Sequence, residues 1–219
     1  MRDTYANIKT SLPNCQMLKS EMIIKKEQVG VRKNGEAIYD FKLNVDFWKS
    51  IGKPINVVLD EAHTMFNARK SMSKVNIIMT DWLALIRRVL GQAESGYGEL
   101  VLISQLANRI DIIAREMATN VRWHVMHYSK TCMKCGYTWQ EDSDSPEPIW
   151  ACESCGCFKI KKHSHYCEVW HFGSMQAYET YRSFGMSTFH MHYIISDIEK
   201  YFTLYDTFSW ESLTSTLYE

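Results

Sequence analysis

Ile55-Asn-Val-Val-Leu-Asp60-Glu61 is the stretch on which the fold turns. Gly52-Lys53-Pro54 breaks the chain just before it, and the short apolar, β-branched run that follows is what a strand buried on both faces requires. Two carboxylates come at once after the run. In nucleotide hydrolases such an acidic pair lets the aspartate hold Mg²⁺, commonly through water, while the glutamate orients the attacking water. A strand end followed by an acidic helix start would account for the same two residues without any chemistry.

Outward from that stretch, the pattern alternates. Over residues 75–90, Val75, Ile78, Met79, Trp82, Leu85, Ile86 and Val89 recur at helical spacing, with Asp81, Arg87 and Arg88 on other faces. The Ile78, Trp82, Leu85 and Val89 stripe is expected to face the sheet. Residues 91–98 are glycine-rich and read as a loop. Residues 100–104 read as a second buried strand, 110–118 as a helix and 121–128 as a third strand. Strand, helix, strand, helix, strand predicts an α/β core with parallel pairing. Upstream, residues 29–41 predict a hairpin around Lys33-Asn34-Gly35-Glu36, with Asn-Gly suited to a two-residue turn.

The 219 residues carry a formal net charge of zero, so the chain as a whole has no bias toward nucleic acid and any DNA contact must be local. Basic residues dominate positions 2–53, whereas from 168 onward the only lysine or arginine residues are Arg182 and Lys200. No stretch approaches the roughly 18 consecutive apolar residues of a membrane span. The first ten residues are charged and polar where a secretory signal would be apolar, which predicts a cytoplasmic protein, in host cytoplasm if viral. Seven cysteines in that setting point to metal rather than disulfides.

Five of the seven fall between residues 129 and 162. Cys132-Met-Lys-Cys135-Gly and Cys152-Glu-Ser-Cys155-Gly are two C-x-x-C-G knuckles with the spacing of a four-thiolate zinc site. Such a site is coordinatively closed, so its zinc would be structural. Cys157 competes with Cys155 as the fourth ligand, while Cys15 and Cys167 read as buried small residues. Residues 163–172 alternate like a strand again, which places the cysteine-rich segment as an insertion at the tip of a hairpin. Lys130, Lys134, Lys159, Lys161 and Lys162 gather at its base, with Trp139 and Trp150 available for stacking. Glu141, Asp142, Asp144 and Glu147 oppose a nucleic-acid contact there, and a partner-protein contact fits as well. His124, His127, His163, His165 and His171 read as sheet-face residues rather than ligands.

Val57 to His63, with Leu102-Ile-Ser-Gln105 and Arg109-Ile-Asp111-Ile-Ile-Ala-Arg115, resembles the zonular-occludens-toxin-like viral and phage ATPases of the FtsK/HerA type. Tyr5-Ala-Asn7-Ile8 and Leu204-Tyr-Asp206-Thr207 are similar to recurring segments of the same group. The resemblance implies a RecA-like P-loop core of parallel sheet and helices, ATP with Mg²⁺, a ring-forming homo-oligomer, and a part in DNA packaging, translocation or virion morphogenesis. It implies that Asp60 and Glu61 form the Walker B pair, that Gln105 senses the γ-phosphate, and that Arg115 stabilises charge on a neighbouring subunit's nucleotide. Arg109 shares that expectation with Arg115.

One departure is large: nowhere do the residues spell G-x-x-x-x-G-K-[S/T], the loop that cradles the β- and γ-phosphates. The expected organisation is an ATPase-like α/β core over 1–128, incomplete at its N-terminus, a zinc ribbon over 129–162, and completion of the core over 163–219. A non-catalytic zinc-ribbon adaptor on a degenerate nucleotide fold is the reading from another class. Leu59-Asp-Glu-Ala-His63 also matches the acidic box of DExH helicases, but the Ser-Ala-Thr and arginine-rich motifs that should accompany it are missing.

Overall fold

Short apolar runs separated by turn residues build the first sheet of the protein, which we describe from a computed structural model covering all residues except 1, 53, 71–72, 92–97, 143–150, 197, 211–212 and 214–219. In chain order its first elements are β1 (Asp3–Ala6), β2 (Ile8–Thr10), β3 (Cys15–Met17), α1 (Ser20–Ile23), β4 (Ile24–Val31), β5 (Ala37–Leu43), α2 (Val45–Ser50) and β6 (Ile55–Leu59). They continue with α3 (Lys74–Gly91), β7 (Leu100–Leu102) and α4 (Ile112–Glu116). Four strands pair in the order β3-β1-β6-β7, all parallel. This is the parallel α/β arrangement that the strand and helix alternation predicts.

β6 sits inside the sheet and alternates. Ile55, Val57 and Leu59 are fully buried, whereas Asn56 and Val58 are partly covered. One face therefore packs the main core and the other is only half shielded. Against the packed face lie Ile78, Met79, Trp82, Leu83, Ile86 and Leu90 of α3, with Leu85 and Val89 partly buried at the margin. The buried stripe is thus centred one position away from the expected one, and Arg87 and Arg88 remain exposed. Trp82 anchors the cluster, its ring 5.5 Å from Trp48 and stacked on Phe66 at 6.4 Å.

Gly98 closes the return from α3 to the sheet. Its N–H donates to the Leu90 carbonyl at 3.1 Å, and a β-carbon there would stand 1.8 Å from the Ile55 carbonyl oxygen. Only glycine lets the backbone approach that closely. The loop expected at 91–98 lies largely outside the described residues.

β4 and β5 form the expected antiparallel hairpin, with a register shift between Gln28 and Gly30. Its turn is not the two-residue form. Arg32 N–H donates to the Glu36 carbonyl at 2.7 Å, leaving three residues at the tip, and Gly35 takes φ 88° as that longer turn requires.

The chain divides into two compact units, Met1–Met117 with Leu204–Glu219, and Ala118–Thr203. In the second, β8 (Val121–Cys132), β9 (Thr138–Asp142), β10 (Ile160–Phe172), α5 (Met175–Phe184) and β11 (Met191–Ser196) form an antiparallel sheet of order β11-β10-β8-β9 with one helix. Two expectations change here. Residues 121–128 belong to this sheet and not to the parallel core, because Arg122 and His124 alternate with Trp123 and Val125 as a strand with one wet face does. The breaks expected at 128/129 and 162/163 fall inside β8 and β10, whose ladder from Val121↔Phe172 to Cys132↔Ile160, with one register shift between Ser164 and Tyr166, binds both strands into one unit. Only the last segment returns to the first unit, where Tyr205–Trp210 pairs with β2. α5 is capped by Ser174, which accepts from Ala177 N–H, and ends on Gly185 at φ 66°. Its Tyr178 and Tyr181 cover Trp123, Trp170 and Phe172.

Candidate functional site

The parallel sheet reverses its direction of growth at β1, with β3 on one side and β6 on the other. At such a switch point the carboxyl ends of the strands open a crevice in which α/β proteins hold ligands. Asp60 and Glu61 leave the carboxyl end of β6 there. Asn7, which follows β1 and is fully buried, clamps Asp60 by its backbone: Asp60 N–H donates to Asn7 Oδ1 at 2.7 Å, and Asn7 Nδ2 donates to the Asp60 carbonyl at 2.9 Å. Burial pushes the Asp60 carboxyl above its ordinary range, with the adjacent Glu61 charge adding to the shift and the Glu61 N–H opposing it.

Glu61 occupies the left-handed region at φ 50° and ψ 40°, a conformation that costs a non-glycine residue about 1 kcal/mol. Its carbonyl accepts from Thr64 Oγ1 at 2.9 Å. The bonds from Ile103 N–H to the Leu59 carbonyl and from Ala62 N–H to the Ile103 carbonyl carry the β7 segment alongside. Ser104 and Gln105 are thereby delivered to the acidic pair. Gln105 Nε2 donates to Glu61 Oε1 at 3.2 Å, and His63 Nδ1 lies 3.2 Å from Glu61 Oε2 and 3.4 Å from Ser104 Oγ. Both carboxylate oxygens of Glu61 are therefore held in place.

Of the residues named from sequence, Asp60, Glu61 and Gln105 come together. Arg115 stands on α4, where its Nε donates to the Ile110 carbonyl at 3.1 Å, and Arg109 is exposed at the end of the turn Ala107–Arg109. α4 is itself fixed by Asp111, which accepts from Ile113 N–H at 3.0 Å and from Asn76 Nδ2 of α3 at 3.2 Å. Sequence reasoning singled out neither Asn7, Ser104 nor His63 for a role. Polar residues just past the ends of β6 and of the strands beside it were the available signal.

A separate site lies in the second unit. The Sγ atoms of Cys132, Cys135, Cys152 and Cys155 all lie within 4.8 Å of one another, with 132 to 155 and 135 to 152 each at 3.6 Å. A tetrahedral ion with metal–sulfur bonds of about 2.3 Å would set its thiolates roughly 3.8 Å apart, so the four could hold a metal ion as they stand. The knuckles repeat one geometry. Gly136 N–H donates to the Cys132 carbonyl at 2.9 Å and Gly156 N–H to the Cys152 carbonyl at 2.7 Å, with the two glycines at φ 73° and 66°. The Cys132 thiol is drawn down to about 6 by the backbone N–H of Cys135 first, and then by that of Lys134 against the effect of burial. Cys157 stays outside the quartet and its Sγ accepts from Lys159 N–H at 3.4 Å.

Trp139 is not free for stacking on a partner. It is buried with Cys132 and Cys152 as the core of this small module, stacked on Tyr137 at 5.8 Å. Trp150 lies outside the described residues, as do Asp144 and Glu147. His127 and His192 flank Glu168 across three strands, at 3.2 Å and 4.0 Å. Among the described residues, the four cysteines are the only cluster of metal-binding side chains, and no helix is long and apolar enough to cross a membrane.

No protein-family model matches the chain, and no curated protein does. Among solved structures it is similar to the N-terminal domain of zonular occludens toxin from Neisseria meningitidis, at 15% identity and a TM-score of 0.43, covering 94% of this chain and 80% of that one.

Proposed function

We propose that the first unit is the acidic half of a zonular-occludens-toxin-like ATPase of the FtsK/HerA type, and that the second unit carries a structural zinc ribbon. The observation that carries the ATPase reading is the meeting of Glu61 and Gln105 at 3.2 Å beside Asp60, past the carboxyl ends of adjacent parallel strands. Asp60 keeps a carboxylate where burial penalises its charge, as a cation site does. Bound Mg²⁺ would supply charge neutralisation for a phosphoryl group. Toward it Asp60 offers an anion, Glu61 an acceptor for a water proton, and Gln105 an amide that orients Glu61.

The fit to the nucleotide itself is incomplete, because the sequence supplies no phosphate loop. The acidic pair alone therefore does not make a hydrolytic site. A loop supplied in trans would find a hydrogen-bonding edge: among the described residues β7 pairs only with β6. Arg115 then serves a neighbouring subunit's nucleotide in a homo-oligomer engaged on DNA. The missing loop equally favours the adaptor reading, in which the nucleotide fold is a scaffold for the ribbon.

Hydrolysis assays separate the two. The 219-residue chain should show negligible ATPase activity, and mixing it with a segment bearing a phosphate loop should create Mg²⁺-dependent turnover that Glu61→Gln abolishes. Robust hydrolysis by the chain alone, or restored turnover indifferent to Glu61→Gln, would mean that the acidic pair is not the site. No restoration with any phosphate-loop segment would leave the adaptor.

A further inference from the structure

Phe158 is the most exposed large apolar side chain among the described residues, at 79%, and it stands immediately after the second knuckle. The ribbon has no spare core for it, since Trp139 with Cys132 and Cys152 already fills the interior. The bond from Met133 N–H to the Lys159 carbonyl, at 2.9 Å, ties the first knuckle to the residue after Phe158. Met133 and Lys134 are thus brought to the same end of the module as Phe158 and Lys159. Met133 is 64% exposed and Tyr137 42%, and Lys134, Lys159 and Lys161 are exposed as well.

Among the described residues, the backbone places little acidic sequence beside these lysines. Glu153 is the one carboxylate on the described knuckle residues. Glu141 and Asp142 lie in register with Tyr128 and His127, at the far end of β9 from the knuckles. Four residues of strand from Thr138 place Asp142 about 14 Å away. Among the described residues, the knuckle end presents an aromatic ring with an open face, a second exposed ring and three cations against the single carboxylate of Glu153.

We propose that this end of the ribbon binds single-stranded nucleic acid, with Phe158 as the stacking platform for a base and Lys134, Lys159 and Lys161 as phosphate contacts. The assignment is independent of the ATPase reading. Unpaired bases present the π-face that a lone projecting ring needs, and lysines on and beside the cysteine knuckles can track a backbone without reading sequence. A duplex hides its base faces, and among the described residues the knuckle end offers no helix to enter a groove.

The test uses the zinc-loaded full chain and a labelled oligothymidylate of about 12 nucleotides, read by fluorescence anisotropy, with zinc measured in every variant. Saturable binding is expected at low salt, with affinity falling by roughly 0.7 log units per log unit of salt for each phosphate contacted. Phe158→Ala should weaken it about 5- to 150-fold while Phe158→Trp retains it, and Lys134→Ala or Lys159→Ala should each lower the salt slope by one contact. Should Phe158→Ala lose zinc, the comparison of Phe158→Trp with Phe158→Leu decides, the leucine variant being the weaker. Binding that does not saturate, a Phe158 series with no ordering, or a duplex bound as tightly as the single strand would overturn the assignment. Self-association through this surface without oligonucleotide binding would assign it to protein contact instead.

Discussion

Asp60 concentrates the tension of the site. Its carboxyl titrates above the ordinary 3.8 because burial disfavours the anion, so the folded state holds the proton over a range in which the unfolded chain has released it. Its contribution to stability is therefore lost as pH rises from 3.8 through the raised value. Asp60→Asn should raise the melting temperature at neutral pH and leave it unchanged below 3.8, as thermal unfolding across pH would read; an equal or lower melting temperature at pH 7 would contradict the account. Asn7 acts in the opposite direction. Asn7→Ala removes both of these hydrogen bonds, at about 0.5–1.5 kcal/mol each. Urea unfolding should register that loss, whereas an exposed asparagine would cost almost nothing.

At the scale of elements, the fold depends on how α3 returns to β6. Gly98→Ala would drive its methyl group into the Ile55 carbonyl, which cannot move without breaking the strand on which Asp60 and Glu61 stand. We expect a loss of about 3 kcal/mol, with the denaturation midpoint falling accordingly. Gly52→Ala is the control, because open space surrounds that position and its substitution should leave the midpoint nearly unchanged. On α3 itself, Trp82→Ala empties the centre of the aromatic cluster with Trp48 and Phe66, at about 3–5 kcal/mol. Ile77→Ala, on the exposed face, should cost less than about 1 kcal/mol.

For the whole molecule, the division into two units assigns the cysteine quartet and the acidic pair to different units, since every cysteine of the quartet lies within Ala118–Thr203 and Asp60 and Glu61 lie in the other unit. Purified protein should carry one equivalent of zinc, and Cys152→Ser should lose it. Removing the metal with a chelator should open residues 133–159 to protease while the helical circular dichroism contributed by α3 persists, because each unit has its own core. Simultaneous collapse of both signals on chelation would show that the core of the first unit depends on the metal.

Reading residues in order was enough to place β6, α3, the β4–β5 hairpin and the four thiolates, because each is specified by neighbours in sequence: period 2 for a strand, 3.6 for a helix, Asn-Gly for a turn, C-x-x-C for a knuckle. It was also enough to place the cysteine-rich segment at the tip of a hairpin, through the alternation resuming at 163–172. Partner choice between distant strands is not local. Whether Val121–Cys132 joins β7 or Ile160–Phe172 depends on which backbone carries the matching ladder, and apolar alternation along one strand leaves its partner unspecified. The same limit hid the Asn7 clamp, which joins positions 53 residues apart, and it allowed Trp139 to be taken for a surface ring when the closing of the two knuckles buries it. Periodicity and spacing are written into the chain, whereas the side chains that meet across a sheet or around a metal site are decided only once the chain has packed.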